Sequence, residues 1–228
     1  MPEEETYPET KPAKGSFGWR FWLLFVFGSL ALIAGITPLF IKRRDHGCDQ
    51  TEEISNIRQI GLALHEFEIE YGSYPSTATA ARITADHPAH GYDLSGRSSN
   101  SLFRQLFVTG ITEFEAMFYA QVPGSRKPDE DITPGKLLEK GEVAFAYIAG
   151  LSSAGNPNRP IAFTPLIPGT KRFDPKPFEG KAVFLRIDNS ASSMSIRPDG
   201  HVYLEGIDIL SPEHPIWDGK APDIRYPE

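Results

Sequence analysis

Residues 21–41 read FWLLFVFGSLALIAGITPLFI, a run in which 16 of 21 residues are apolar and none is charged. At about 1.5 Å per residue it would extend roughly 31 Å as a helix, the thickness of a bilayer's hydrocarbon layer. A helix packed in a water-soluble core usually keeps a polar face over such a length, and this run has none. It predicts a transmembrane helix over residues 20–42. The run exceeds the apolar core of a secretory signal and leaves through Pro38-Leu39-Phe40-Ile41 into Lys42-Arg43-Arg44, so it reads as a retained anchor.

The mean hydropathy of -0.30 and net charge of -7 average over this division. Residues 1–44 carry six basic and four acidic side chains, net +2, and residues 45–228 carry 17 and 26, net -9. So acidic a portion lacks the basic footprint of a nucleic-acid binder. Cys48 is the only cysteine, which excludes an internal disulfide and a multi-cysteine zinc site. Basic residues at the two ends of the run nearly balance, with Lys42-Arg43-Arg44 leaning slightly towards a cytoplasmic carboxyl-terminal portion.

Residues 1–19, rich in Pro and Glu, predict a disordered tail. Over 49–72 an amphipathic helix is expected. Asp49 and Glu52 mark its start, Ile54, Ile57, Ile60, Leu64, Phe67 and Tyr71 recur every three or four residues, and Gly72 and Pro75 stop it. This stripe is the expected helix-packing or assembly face, and Glu52, Glu53, Glu66, Glu68 and Glu70 should lie opposite it. An α+β globular head is expected over 73–210. It would hold a polar loop at 76–96, two short helices at 99–119 broken near Gly110, with Phe103, Leu106, Phe107, Phe114 and Phe118 supplying apolar surface, and short strands at 143–148, 161–163, 182–187, 193–197 and 202–204. Pro198-Asp199-Gly200 predicts a hairpin over 193–204. Fourteen of twenty prolines follow residue 122, which suits a small antiparallel sheet with long loops. An extended tail over 211–228 would be anchored by Trp217.

Chemistry-bearing patterns are weak. His87 and His90, with Asp86 and Asp93, are a metal-ligand set without zinc spacing. His65-Glu66 opens like a metalloprotease helix, but Ile69 stands where the second His is required. Gly150-Leu151-Ser152-Ser153-Ala154 fails as a nucleophile elbow at its last position. Asp129 with Asp131, and Asp188 with Asp199, offer oxygens of the kind calcium takes. No phosphate loop or dinucleotide fingerprint is present, so no catalytic or cofactor-binding residue is assigned and a non-enzymatic protein is expected.

The stretch from Ser55 to Leu64 (SNIRQIGLAL), the helix exit Tyr71-Gly72-Ser73-Tyr74-Pro75, and Asp199-Gly200-His201-Val202 together resemble type IV pilin-like proteins, nearest to the major-pseudopilin branch of type II secretion. The resemblance implies a pilin-like fold: an N-terminal transmembrane and amphipathic helix packed on a small antiparallel β-sheet. It further implies a bacterial inner-membrane, single-pass protein with residues 45–228 periplasmic, a structural role in a secretion or pilus-like assembly, and partnership with its own copies or other pilin-like subunits. Calcium is the one ion it suggests, with no ligand carried over. The chain departs from the family where Ser16 follows Gly15, where Arg20 replaces the usual Glu, and where Asn189 replaces the His of the carboxyl-terminal signature. An extracytoplasmic ligand-binding or sensor module on a single membrane anchor is the competing expectation.

Overall fold

The computed structural model describes residues 18–228, without the side chains of residues 19–21 and 33–49. The expected tail, the departure at Gly15 and Ser16, and the side chains of Arg20, Pro38, Lys42–Arg44 and Cys48 lie outside that description. The chain divides into two compact units, Met1–Asp45 and His46–Glu228.

Helix α1 covers Trp19–Tyr71, 53 residues, and so includes both the apolar run and the amphipathic stripe. In the second unit, Ile57, Ile60, Leu64, Phe67 and Tyr71 are buried and Ile54 packs against them partly exposed. Burying each large side chain contributes about 1.5–3 kcal/mol, so the stripe alone is a substantial share of the head's stability. Gly72, at φ 78°, ends the helix in the left-handed conformation, with its N–H donating to Glu68 O at 2.7 Å. Of the five glutamates expected on the outer face, Glu53 is instead buried. It accepts a hydrogen bond from Gln121 N at 3.3 Å, because the 116–122 segment lies across this part of the helix.

The 76–96 stretch is not all loop. Thr77–Asp86 forms α2, started by a capping box in which Ser76 Oγ accepts from Thr79 N and Thr79 Oγ1 accepts from Ser76 N. Thr79, Ala80 and Ile83 supply its buried side. Ser99–Val108 forms α3, and Gly110 at φ 72° breaks the chain as expected. The second expected helix is only a 3₁₀ turn over Ala116–Phe118, and Phe114, expected among the apolar contacts, is 69% exposed.

The fold is α+β. Strands β1 (Ala146–Ile148), β2 (Pro160–Thr164), β3 (Lys181–Arg186), β4 (Ala191–Ser195) and β7 (Ile224–Arg225) form an antiparallel sheet in the order β4-β3-β2-β1-β7, and β5 (Tyr203–Leu204) pairs with β6 (Ile207–Asp208) separately. Period-two alternation sends Val183 and Leu185 towards α1 and Ala182 and Phe184 to the opposite core. A register shift between Pro160 and Ala162 lets Ile161 and Ala162 both join the α1 side.

The 193–204 hairpin forms only as a turn. Ile196 and Val202 make one bridge, while β4 takes its full ladder with β3 and Tyr203–Leu204 turns to β6. The tail is more built than an extended strap. It contains a 3₁₀ turn over Pro215–Trp217 and contributes β7, the edge strand beside β1. Trp217 is buried in the core on the sheet's second face, its Nε1 donating to Ile209 O at 2.7 Å.

At Gly61, α1 comes close to β3 and to the β3–β4 turn. A Cβ there would stand 2.0 Å from Asn189 Oδ1 and 2.9 Å from Leu185 Cδ1. Gly61→Ala should therefore lower stability by up to about 2 kcal/mol, since the overpacking cost of roughly 1–3 kcal/mol is offset by only ~1 kcal/mol of helix propensity. Asn189, in the β3–β4 turn, has φ 61°, a conformation that glycine accepts. Asn189→Gly in the same chain should restore most of the loss in denaturant melts, and a neutral or stabilising G61A would contradict this account of the contact.

Candidate functional site

Two places stand out. The first is the exposed apolar stretch of α1. Every described side chain from 22 to 32 is solvent-exposed, including Trp22 at 66%, Phe25 at 74% and Phe27 at 67%. Its one hydroxyl is satisfied inside the helix, with Ser29 Oγ within 2.9 Å of Phe25 O and 3.0 Å of Val26 O. Among the described residues, no helix is long and apolar enough to cross a membrane. The described side chains of the 21–41 run stop at 32. The stripe expected as an assembly face, Ile54 to Tyr71, is spent inside the head instead, and the apolar side chains it leaves outward are Leu62 and Ile69, 61% and 88% exposed.

The second place is a cluster of carboxyl groups against the 3₁₀ turn. Glu115 is buried; its Oε1 accepts from Leu138 N at 2.6 Å and its Oε2 has no hydrogen-bond partner among the described residues. Glu130 caps the turn, its two oxygens accepting from Glu115 N and Ala116 N at 3.1 Å each. Glu142, also buried, accepts from Glu139 N at 2.6 Å through Oε2, while its Oε1 lies 3.1 Å from Arg126 Nη2 as an ion pair without hydrogen-bond geometry. Burial pushes the Glu115 carboxyl up to about 7; the hydrogen bond from Leu138 opposes the shift, and the charges of Glu142, Glu130 and Asp129 add to it. Burial raises Glu142 as well, against the Glu139 hydrogen bond and the Arg126 charge.

Asp129, Glu139 and Glu142 offer oxygens within 4.8 Å of one another, which suits a cation. The guanidinium of Arg126 already serves there, bonded to Glu139 and paired with Glu142. Asp131, expected beside Asp129 as a ligand, is held in a local turn by Thr133, whose N and Oγ1 both donate to Asp131 Oδ1. Asp188 and Asp199 likewise cap Ser190 N and His201 N in separate turns. His87 is exposed and His90 accepts from Tyr92 N, while Asp93 binds Ser95; among the described residues these do not converge on a metal position. His65 contacts Tyr74 on the head at 3.5 Å. Ser152 and Ser153 lie in a loop, with Ser153 N donating to Glu68 at 2.7 Å.

The motifs behind the resemblance are used structurally. The helix exit is tied to the head through Tyr74 N to Leu151 O and Tyr147 Oη to Pro75 O, and Asp199 fastens its turn through Tyr203 Oη at 2.8 Å, beside a His201–Asp208 pair at 2.9 Å. Glu115, Glu142 and Arg126 escaped the sequence reading. The only available signal was a glutamate inside the apolar stretch Phe114-Glu115-Ala116-Met117-Phe118. Comparison with protein-family models, with curated proteins and with solved structures returns no match for this chain.

Arg126→Met should lower the melting temperature of the full chain in detergent more at pH 8 than at pH 4.5. A carboxyl raised above its unfolded value supports the fold fully below that value and loses its contribution as pH rises through the folded pKa; removing the guanidinium raises Glu142 further. An equal deficit at both pH values would show that Arg126 does not compensate Glu142.

Proposed function

We propose that the chain is a membrane-anchored, non-enzymatic, pseudopilin-like structural or assembly protein, of a type II secretion or type IV pilus-like system, with α1 as its anchor. The observation that carries the reading is the exposure of the apolar side chains over residues 22–32. Unpartnered rings and branched chains at every azimuth of a helix are stable only in lipid or against other such helices. The charge-free 21–41 run and the buried Ile57–Tyr71 stripe agree with a helix that is an anchor at one end and a core element at the other. The acidic head then faces the periplasm, and partners are other copies or pilin-like subunits meeting through the apolar half of α1.

Cysteines introduced singly at Leu24 and Phe27 in a Cys48→Ser chain should cross-link to a second copy in native membranes. A chain that stays monomeric at both positions would argue for a dispersed tethered module that binds a soluble ligand. Protease shaving of spheroplasts should digest residues 45–228 alongside a periplasmic control. Survival of the head while that control is digested would overturn the orientation.

A further inference from the structure

Around Glu115 the charges do not balance. The 127–131 loop brings Glu130, whose oxygens accept from Glu115 N and Ala116 N, and Asp129, whose oxygen groups with those of Glu139 and Glu142; the 136–142 turn adds Glu142, itself buried. Three cations of the same region are directed elsewhere. Arg126 serves Glu139 and Glu142, Lys136 lies 3.7 Å from Glu139, and Arg104 on α3 donates to Leu137 O and Leu138 O. Among the described residues, Glu115 is left with one backbone donor and one unpartnered buried oxygen. A protonated carboxyl relieves both the repulsion and the desolvation, and an ionised one meets them in full.

The same group fastens two strained or bridging pieces of backbone. Leu138, whose N–H it accepts, sits at φ 46°, a left-handed conformation that costs a branched side chain on the order of 1–3 kcal/mol, and Asn100 and Arg104 hold its carbonyl from the other side. Residues following Glu115 lie on α1: Asn56 Nδ2 donates to Ala116 O at 3.4 Å and to Tyr119 O at 3.1 Å, and Gln121 N donates to Glu53.

The geometry points to a proton-operated clasp: protonated Glu115 keeps the 115–122 segment closed on α1, and ionised Glu115, repelled by Glu142, Glu130 and Asp129, releases it. The inference goes beyond the membrane-anchored reading and stands or falls independently of it. Release would expose the face of α1 around Glu53 and Asn56 and would open the segment's other ties with it, Phe118 O accepting from Ala144 N at 2.9 Å and the Phe118 ring lying 4.9 Å from Phe103, while the β2–β3–β4 ladders take no hydrogen bond from residues 115–122 among the described residues.

The test is hydrogen exchange by mass spectrometry on the full chain in detergent micelles at pH 5.5, 7.0 and 8.5, corrected for intrinsic exchange. Protection of peptides covering 115–122 should fall on the order of tenfold between pH 5.5 and 8.5 relative to peptides from β2 and β3, and Glu115→Gln should flatten that dependence. Constant protection in the unsubstituted protein, or an undiminished fall in E115Q, would overturn the clasp. Should E115Q fail to fold, Glu142→Gln decides. Removing that neighbouring charge should move the release midpoint to lower pH and shrink its amplitude, and an unchanged midpoint would equally overturn the proposal.

Discussion

The absence of a side chain at Gly61 lets the α1 backbone come close enough to the sheet for Asn189 Oδ1 and Leu185 Cδ1 to occupy the space a Cβ would take. Ile57, Ile60, Leu64 and Phe67, on either side of Gly61 along the helix, are buried in the same cluster as Val183 and Leu185 of β3. Aromatic groups from the other helices complete the layer, with Phe103 set against Phe118 at 4.9 Å and against Tyr147 at 5.1 Å. The helix exit follows from the same placement, since Gly72 ends α1 where Tyr74 and Pro75 can bond to the loop after β1 and to Tyr147.

Strands buried on both faces need a second cover, and here irregular chain supplies it. Phe163, Phe173 and Phe184 meet within 5.3–5.8 Å of one another, and Val202, Ile209, Leu210, Ile216 and Trp217 close over them. Arg159 holds the final strap in place by donating to Ile216 O, pairing with Asp218 at 3.0 Å and lying 5.3 Å over the Trp217 ring. The proline-rich segment thus builds one side of a core, and its backbone ends as β7.

The carboxyl cluster contrasts with these apolar layers. Burying Glu115 and Glu142 lowers stability unless protons or Arg126 compensate. Glu115 bonds to the left-handed backbone at Leu138, and the residues after it bond to α1 through Asn56.

Sequence alone determined the helix of Ile57, Ile60, Leu64, Phe67 and Tyr71, its stop at Gly72, the apolar run before it, the break at Gly110 and the approximate strand positions, because period, glycine and turn chemistry are local properties. It missed α2, whose small Thr and Ala residues give little hydrophobic signal and whose capping box uses Thr in place of Glu. Only the tertiary structure decided that Tyr203–Leu204 pairs with Ile207–Asp208, that the last residues form a sheet edge, and that Glu53, Glu115 and Glu142 are buried. Strand partners and the burial of a charge depend on which distant segments arrive beside a residue. Residue type and spacing along the chain do not carry that information.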